Sequence, residues 1–217
     1  MSFRPPNKGY KIKLTESEIA RKAIGAFELI TGREHRELDP SSFLMSPDRF
    51  MEYLAANGIT HFLGNFEPLR PHQPKYLPEN TLLLPQEERA YPLMLLLLAI
   101  GDMLRNGLGV PVYCRNIYRP GPDSLLWDGS KPGDYNKWAG GKANGDHPSA
   151  SAADFDIIAS KQRMPALIAK AKLILKPILT ANVNLLPTSV GFGSYFVHIG
   201  LFAPETLRLG ANRRWSY

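Results

Sequence analysis

The feature that most constrains the fold is an uninterrupted apolar run from Leu93 to Ile100. It lies within a predicted helix from about Gln86 to Asn106, which Gly107 and Gly109 are expected to end. Because the run is apolar on every side of the helix, the helix is expected to be buried. At eight residues, the run is far shorter than the roughly 20 residues that a membrane span needs.

Helices are predicted mainly in the first half of the chain and strands mainly in the second. The spacing in Thr15-Glu-Ser-Glu18 fits a capping box, and the apolar periodicity after it predicts a helix to about Gly32. Ser46-Pro47 begins a second, shorter helix that Gly58 ends. The later predicted elements are a strand at 110–118, a long loop at 121–146, a strand at 155–158, a helix from Met164 closed by Lys176-Pro177, and one or two strands at 189–202.

The length and composition favour one domain with an anionic partner. The 217 residues suit a single domain at 14–217 behind a basic, proline-containing arm at 1–13. Lys and Arg number 26 against 20 Asp and Glu, which favours a cell-wall polymer, a nucleic acid or an acidic protein as partner. The basic residues are scattered without the aromatic pattern of a nucleic-acid module, so no nucleic-acid partner is expected. The single cysteine, Cys114, excludes an internal disulfide, and its apolar neighbours predict a buried, inert thiol.

Three side chains form a candidate metal site. His147 and Asp154 offer a nitrogen and an oxygen donor seven positions apart, and the residues between them are small enough for a tight turn. His198, on a predicted strand, is a third donor. Zinc readily takes histidine nitrogen and carboxylate oxygen, and three protein ligands with an open fourth position is the arrangement of a catalytic zinc. From the spacing alone, the alternative is a surface turn with a solvated Asp154.

Several short motifs surround these residues in a fixed order. They are Ile117-Tyr118-Arg119-Pro120, Tyr135-Asn136 with Gly140-Gly141, the Gly145–Asp154 box, Phe196-Val197-His198 and the closing Arg213-Arg214-Trp215. In this order the chain resembles the hedgehog/DD-peptidase superfamily, which includes zinc D-Ala-D-Ala carboxypeptidases, phage L-alanyl-D-glutamate endopeptidases and related murein peptidases. The resemblance covers roughly residues 80–217. Together with the order of the elements, it predicts an α+β fold in which an antiparallel sheet has helices mainly on one side.

The resemblance implies one zinc ion, held by His147, Asp154 and His198. It also implies that Arg119, at the exit of the first strand, binds a substrate carboxylate or the oxyanion of the reaction through paired hydrogen bonds. The box departs from the family pattern at two positions. Its leading Ser is Gly145, and its central Gly is Ala150.

The position of the general base is the larger departure. Family enzymes place an acid three residues before the second histidine, where this chain has Tyr195, and often another two residues after it, where this chain has Gly200. Tyrosine has an ordinary pKa near 10 and is a poor base, so Tyr195 is expected to donate a hydrogen bond to the oxyanion. Asp156, which alternates to the same strand face as Asp154, is the first candidate base. The other candidates for the base are Asp146, which could equally orient one of the histidines, and the more distant Glu205.

The expected function is that of a zinc peptidase acting on bacterial cell-wall peptides. The alternative is a catalytically impaired protein of the same fold that serves as a phage virion component or binds the wall. The 1–13 arm is then available to dock on other phage structural proteins. The N-terminus has no apolar segment of the signal-peptide type, so a soluble phage lysin or virion component without a membrane span is expected.

Overall fold

The computed structural model describes residues 16–37, 46–60, 83–87, 90–141, 146–180, 189–201 and 213–216. The predicted arm at 1–13, Gly145 and Glu205 lie outside these ranges. The described helices are α1 (Glu16–Thr31), α2 (Pro47–Ala56), α3 (Ala90–Leu108), α4 (Tyr135–Trp138) and α5 (Met164–Thr180). The described strands are β1 (Val112–Asn116), β2 (Ala152–Ile157), β3 (Ser189–Phe192), β4 (Phe196–Gly200) and β5 (Arg213–Ser216). None of the described helices is both long enough and apolar enough to cross a membrane.

Local chemistry accounts for the ends of the first helices. The Ser46 hydroxyl accepts a hydrogen bond from the Arg49 amide at the start of α2, and Pro47 occupies the first helical turn, where its missing N–H costs nothing. Gly109 ends α3 with a φ of 68°, a conformation that favours glycine. The expectation that Gly107 also stops α3 is wrong, since Gly107 lies inside the helix.

The buried helix α3 lies at the centre of the packing, as its apolar run predicts. Leu95, Leu96, Leu97 and Leu98 are completely inaccessible to solvent. The helix α3 contacts the helices α1 and α5 and the strands β1 and β2. A Cβ atom added at Gly101 would lie 2.3 Å from Cε1 of Phe155 on β2, so the helix and the sheet approach each other closely at this glycine.

The sheet has five strands in the order β1-β2-β4-β3-β5. The first four pair antiparallel, which with the helices makes the fold α+β as predicted. The predicted antiparallel sheet is found over these four strands, and at one edge a fifth strand, β5, pairs parallel to β3. β5 does not form a hairpin with β4. It pairs with the side of β3 that faces away from β4. A hairpin cannot join parallel neighbours, so the chain crosses over β3 between β4 and β5.

The helix α5 continues past Pro177, where the sequence predicts its end. A proline inside a helix removes the hydrogen bond to the carbonyl four residues earlier. The carbonyl that loses its hydrogen bond belongs to Leu173, on the exposed side of α5, where this residue is 68% exposed to solvent. Leu175 and Ile178 on either side of the proline continue the buried face of α5. Burial of this apolar face outweighs the local cost of the proline.

Candidate metal centre

The alternation of side chains along β2 separates the helix-packing face from the candidate site. Phe155 points toward Gly101 of α3, so its neighbours Asp154 and Asp156 point to the opposite face. His198 on β4 is the residue directly opposite Asp154 in the antiparallel register. Because directly opposite residues share a face, the sheet itself brings the Asp154 carboxylate and the His198 imidazole together.

His147 reaches the same point from a turn that leads into β2. Residues His147–Ser149 form a single turn of 3₁₀ helix, and the carbonyl of Asp146 accepts hydrogen bonds from the hydroxyls of Ser149 and Ser151. Ala150 then adopts a left-handed conformation with φ 52° and ψ 24°, which reverses the chain into the strand. The small residues of this segment therefore make a tight turn, as their sequence predicts.

The three predicted ligands form one buried cluster. Nδ1 of His198 lies 2.8 Å from Oδ1 of Asp154, and Nε2 of His147 lies 3.4 Å from Oδ2 of the same carboxylate. The two imidazole rings meet edge to face, with centroids 5.2 Å apart. One ligand atom from each of the three residues lies within 4.8 Å of the others, so the group could hold a metal ion. The alternative of a solvated Asp154 on a surface turn is wrong, because only 5% of this residue is exposed.

The hydrogen bonding of His147 fits a metal ligand. Its Nδ1 atom lies 2.9 Å from the carbonyl oxygen of Ile117, and a carbonyl only accepts, so Nδ1 carries the proton. The other nitrogen, Nε2, then presents its lone pair. Among the described residues this buried atom has no hydrogen-bond partner. A buried, unpartnered nitrogen beside a carboxylate and a second imidazole is a donor set that suits zinc.

The electrostatics keep His147 neutral and Asp154 ionised, which are the forms that bind a metal. Burial lowers the pKa of His147 below its ordinary value, although the negative charge of Asp154 favours the protonated ring. Burial alone would raise the pKa of Asp154. The contacts with Nδ1 of His198 and with the Arg119 guanidinium stabilise the carboxylate and hold the pKa of Asp154 well below its usual range.

Arg119, the predicted substrate-binding residue, is part of this cluster. Its guanidinium Nη2 donates to Oδ2 of Asp154. Its amide donates to the carbonyl of His147 over 3.3 Å, so the segment after β1 is joined to the histidine turn through both backbone and side chain. The Nε atom of Arg119 is buried and has no hydrogen-bond partner among the described residues. A role in binding substrate stays a prediction, whereas the contact with Asp154 was not foreseen.

Asp156 shares the face of Asp154 but belongs to a different pair. Nε of Arg115 donates to Oδ2 of Asp156 over 3.0 Å, and Nη2 of Arg115 donates to Oδ1, so one guanidinium contacts both carboxylate oxygens. Arg115 follows Cys114, which pairs with Phe155, so alternation puts Arg115 on the face of Asp156. A bulge at Arg115 then pairs Asn116 with Asp154 and brings Asn116 to this face as well.

Tyr195 lies in the turn between β3 and β4 and is 46% exposed. Its ring lies against the guanidinium of Arg115, with the Arg115 Cζ atom 5.2 Å from the ring centroid. The Phe196 ring lies 5.1 Å from the same atom. Tyr195 is therefore joined to Asp156 through Arg115. The catalytic roles of Tyr195 and Asp156 stay predictions, and Asp146 contributes its carbonyl to the histidine turn.

The loop that follows β1 covers one side of the cluster. The amide of Asn136 donates to the carbonyl of Pro120 over 3.0 Å, and Gly141 approaches the Asn136 side chain so closely that a Cβ atom would lie 2.1 Å from its Oδ1. The hydroxyl of Tyr135 lies 3.5 Å from Oδ1 of Asn116, which faces Asp154 from β1. These contacts place the Tyr135-Asn136 motif and Gly141 next to Pro120 and Asn116, which adjoin the cluster.

Sequence reasoning did not find Arg115 and Asn116. Both lie in an ordinary-looking strand. Alternation places Arg115 on the face of the cluster, and the bulge brings Asn116 to the same face, opposite Asp154. The one signal available was two polar residues together in an otherwise apolar strand. Comparisons with protein-family models, with curated proteins and with solved structures found no match.

Proposed function

We propose that the protein is a zinc-dependent peptidase of the hedgehog/DD-peptidase type that acts on peptides of the bacterial cell wall. The observation that carries this proposal is the buried Nε2 of His147, which has no hydrogen-bond partner among the described residues and faces Asp154 and His198. A buried polar atom left without a partner is costly, so it indicates a ligand. When bound, zinc would supply Lewis-acid chemistry, lowering the pKa of water and polarising a peptide carbonyl.

The arrangement of the sequence motifs supports the resemblance on which the choice of substrate rests. The Arg119 segment, the Asn136 loop, the histidine turn and the late strand are distant in the chain but contact one another around Asp154. The box of the family has a glycine where this chain has Ala150. The left-handed φ of Ala150 is a conformation that glycine adopts at no steric cost, which supports the alignment of the two.

In the proposed reaction the chain's own residues orient the ligands and stabilise charge. The carbonyl of Ile117 fixes the ring of His147, and the guanidinium of Arg119 holds the carboxylate of Asp154 in place. The same guanidinium would stabilise the negative charge that develops on an attacked carbonyl, if the substrate binds beside Asp154. A fixed cation in a buried site stabilises such charge far more than it would in water.

A specific observation also favours a second candidate function. Peptide hydrolysis needs a group that takes a proton from water, and this help is typically worth about 10²–10⁴-fold in rate. Asp156 is the predicted base, yet both of its oxygens are bonded to Arg115. Tyr195 occupies the position of the family's acid. The second candidate is therefore a catalytically impaired phage virion component or wall-binding protein with this fold.

The experiment compares variants on purified peptidoglycan from several bacteria. Release of soluble peptides is measured for the wild type, His198→Ala and Tyr195→Glu. The matched control is His35→Ala, which removes a histidine bonded to Tyr53, on a different part of the fold.

For an active zinc peptidase, the wild type and His35→Ala release peptides and His198→Ala does not. Release that persists fully in His198→Ala would refute zinc-dependent catalysis. A wild type at background, with activity gained in Tyr195→Glu, would identify an impaired site that lacks only its base. No release from either protein on any wall would favour the virion or wall-binding function.

A further inference from the structure

The short helix α4 holds an aromatic ring in solvent beside the candidate metal centre. Trp138, its last residue, is 51% exposed. The ring is held in place, since it stacks on Tyr135 with centroids 5.6 Å apart and planes inclined by 24°. The turn beneath it is capped by Asp134, whose side chain accepts from the Lys137 amide at 2.9 Å. A half-exposed tryptophan stacked on a buried ring presents a flat apolar face to solvent, and a ligand that covers it has little side-chain freedom left to remove.

This ring is connected to the cluster through two intervening side chains, Tyr135 and Asn116. Tyr135, under the Trp138 ring, is buried, and its hydroxyl lies 3.5 Å from Asn116, the β1 neighbour of Asp154. Burial raises the pKa of Tyr135, and the charges of Arg119 and Asp154 also act on this hydroxyl, in opposite directions. A ligand on Trp138 would therefore extend from the edge of the same site.

We propose that Trp138 is a platform for a sugar ring of the wall glycan to which the stem peptide is attached. The inference rests on the proposed function for its choice of substrate. A pyranose ring has a face of C–H groups and a rim of hydroxyls, and an exposed aromatic ring complements such an apolar face. Lys137, on the same exposed turn, offers a donor to the rim. A peptide-cleaving centre next to a sugar platform fits a peptide that is covalently joined to a sugar.

The test measures binding of labelled glycan strands from which an amidase has removed the peptides. Wild type and His198→Ala are expected to bind the strands alike, because the platform does not depend on the metal. Trp138→Ala should bind about tenfold more weakly, the loss expected for one aromatic contact with its buried area. Trp138→Phe keeps a flat ring and should fall between the two. The matched control is Leu173→Ala, which shortens an exposed apolar side chain on a different helix, α5. This variant should bind like the wild type.

The outcomes separate this inference from the proposed function. Equal binding by Trp138→Ala and the wild type, with the melting temperature of the variant preserved, would overturn the platform, as would no binding of the strands by the wild type. Binding of free stem peptides that is lost in Trp138→Ala, without binding of glycan, would assign the ring to peptide and also overturn it. If the protein binds glycan through Trp138 but holds no metal and cuts nothing, the platform stands and the peptidase proposal fails.

Discussion

The substitution Gly101→Ala tests how closely α3 supports the strand that carries the site. Gly101 lies in the interior of α3, where alanine is favoured over glycine by about 1 kcal/mol. The added Cβ atom would lie 2.3 Å from Cε1 and 2.8 Å from Cζ of Phe155, whereas carbon atoms are in contact at about 3.5–4.0 Å. Phe155 is completely buried, so its ring has no solvent-filled space to move into.

Inserting a carbon into a packed core typically costs about 1–3 kcal/mol, and a clash with a fixed ring falls at the upper end. After the gain in helix propensity, Gly101→Ala should lower the free energy of unfolding by about 1–2 kcal/mol. For a chain of this size, that corresponds to a fall of about 2–8 °C in melting temperature. The strain falls on Phe155, the neighbour of Asp154, so metal affinity should fall as well.

Two matched glycines serve as controls, measured by thermal and denaturant unfolding. Gly25→Ala lies in α1, where an added Cβ meets nothing within 4 Å, and should stabilise the protein by up to about 1 kcal/mol. The Cβ atom added in Gly107→Ala would lie 2.6 Å from Cδ1 of Ile174, a partly buried side chain with room to move, so this change should be milder than Gly101→Ala. Combined with Phe155→Leu, the cost of Gly101→Ala should shrink, with a coupling energy of about 1 kcal/mol. A Gly101→Ala protein as stable as the wild type, or strict additivity with Phe155→Leu, would refute the reasoning.

Three further predictions concern the surroundings of the cluster. Asp156→Asn removes the negative charge that Arg115 contacts. Because the Arg115 side chain is only 22% exposed, the free energy of unfolding in urea should fall by about 2–3 kcal/mol. If the pair acts only on structure, Arg115→Met should impair activity as much as Asp156→Asn does. With a chelator present to remove metal, the lowered pKa of His147 means that the unfolded state binds a proton at a higher pH than the folded state. The free energy of unfolding should therefore fall as the pH drops below about 6.5. This dependence on pH should be weaker in His147→Gln. Ala150→Val should cost about 2–4 kcal/mol, because a β-branched side chain enters a buried, left-handed position, whereas Ala150→Gly should stay within about 1 kcal/mol of the wild type.

Much of the fold follows from local signals in the sequence. The apolar periodicity at 19–30 predicts the end of α1 to within about one residue, Ser46-Pro47 predicts the start of α2, and the apolar run predicts the buried α3. The cluster of His147, Asp154 and His198 is expected from the order of the motifs. Strand pairing brings two of its members together, since His198 on β4 lies directly opposite Asp154 on β2.

The features that were missed depend on distant parts of the chain. The helix α5 passes Pro177 because the buried face resumes beyond it, which no local rule for proline includes. β5 pairs in parallel because it adds at the outer edge of β3, and the local sequence of β5 does not indicate that edge. The bulge at Arg115 and the bond from Arg119 to Asp154 are set by contacts between strands, so the pairing of Asp156 with Arg115 could not be read from the spacing of Asp154 and Asp156.

The most direct test of the central claim is the zinc content of protein purified without chelator or affinity tag, measured by elemental analysis. The wild type and the His35→Ala control are expected to hold about one zinc ion per chain, in line with a three-ligand site. His147→Ala, which removes the buried Nε2 atom, is expected to hold less than about a tenth of an equivalent. A wild type at that low level, or equal zinc in the wild type and His147→Ala, would contradict the account.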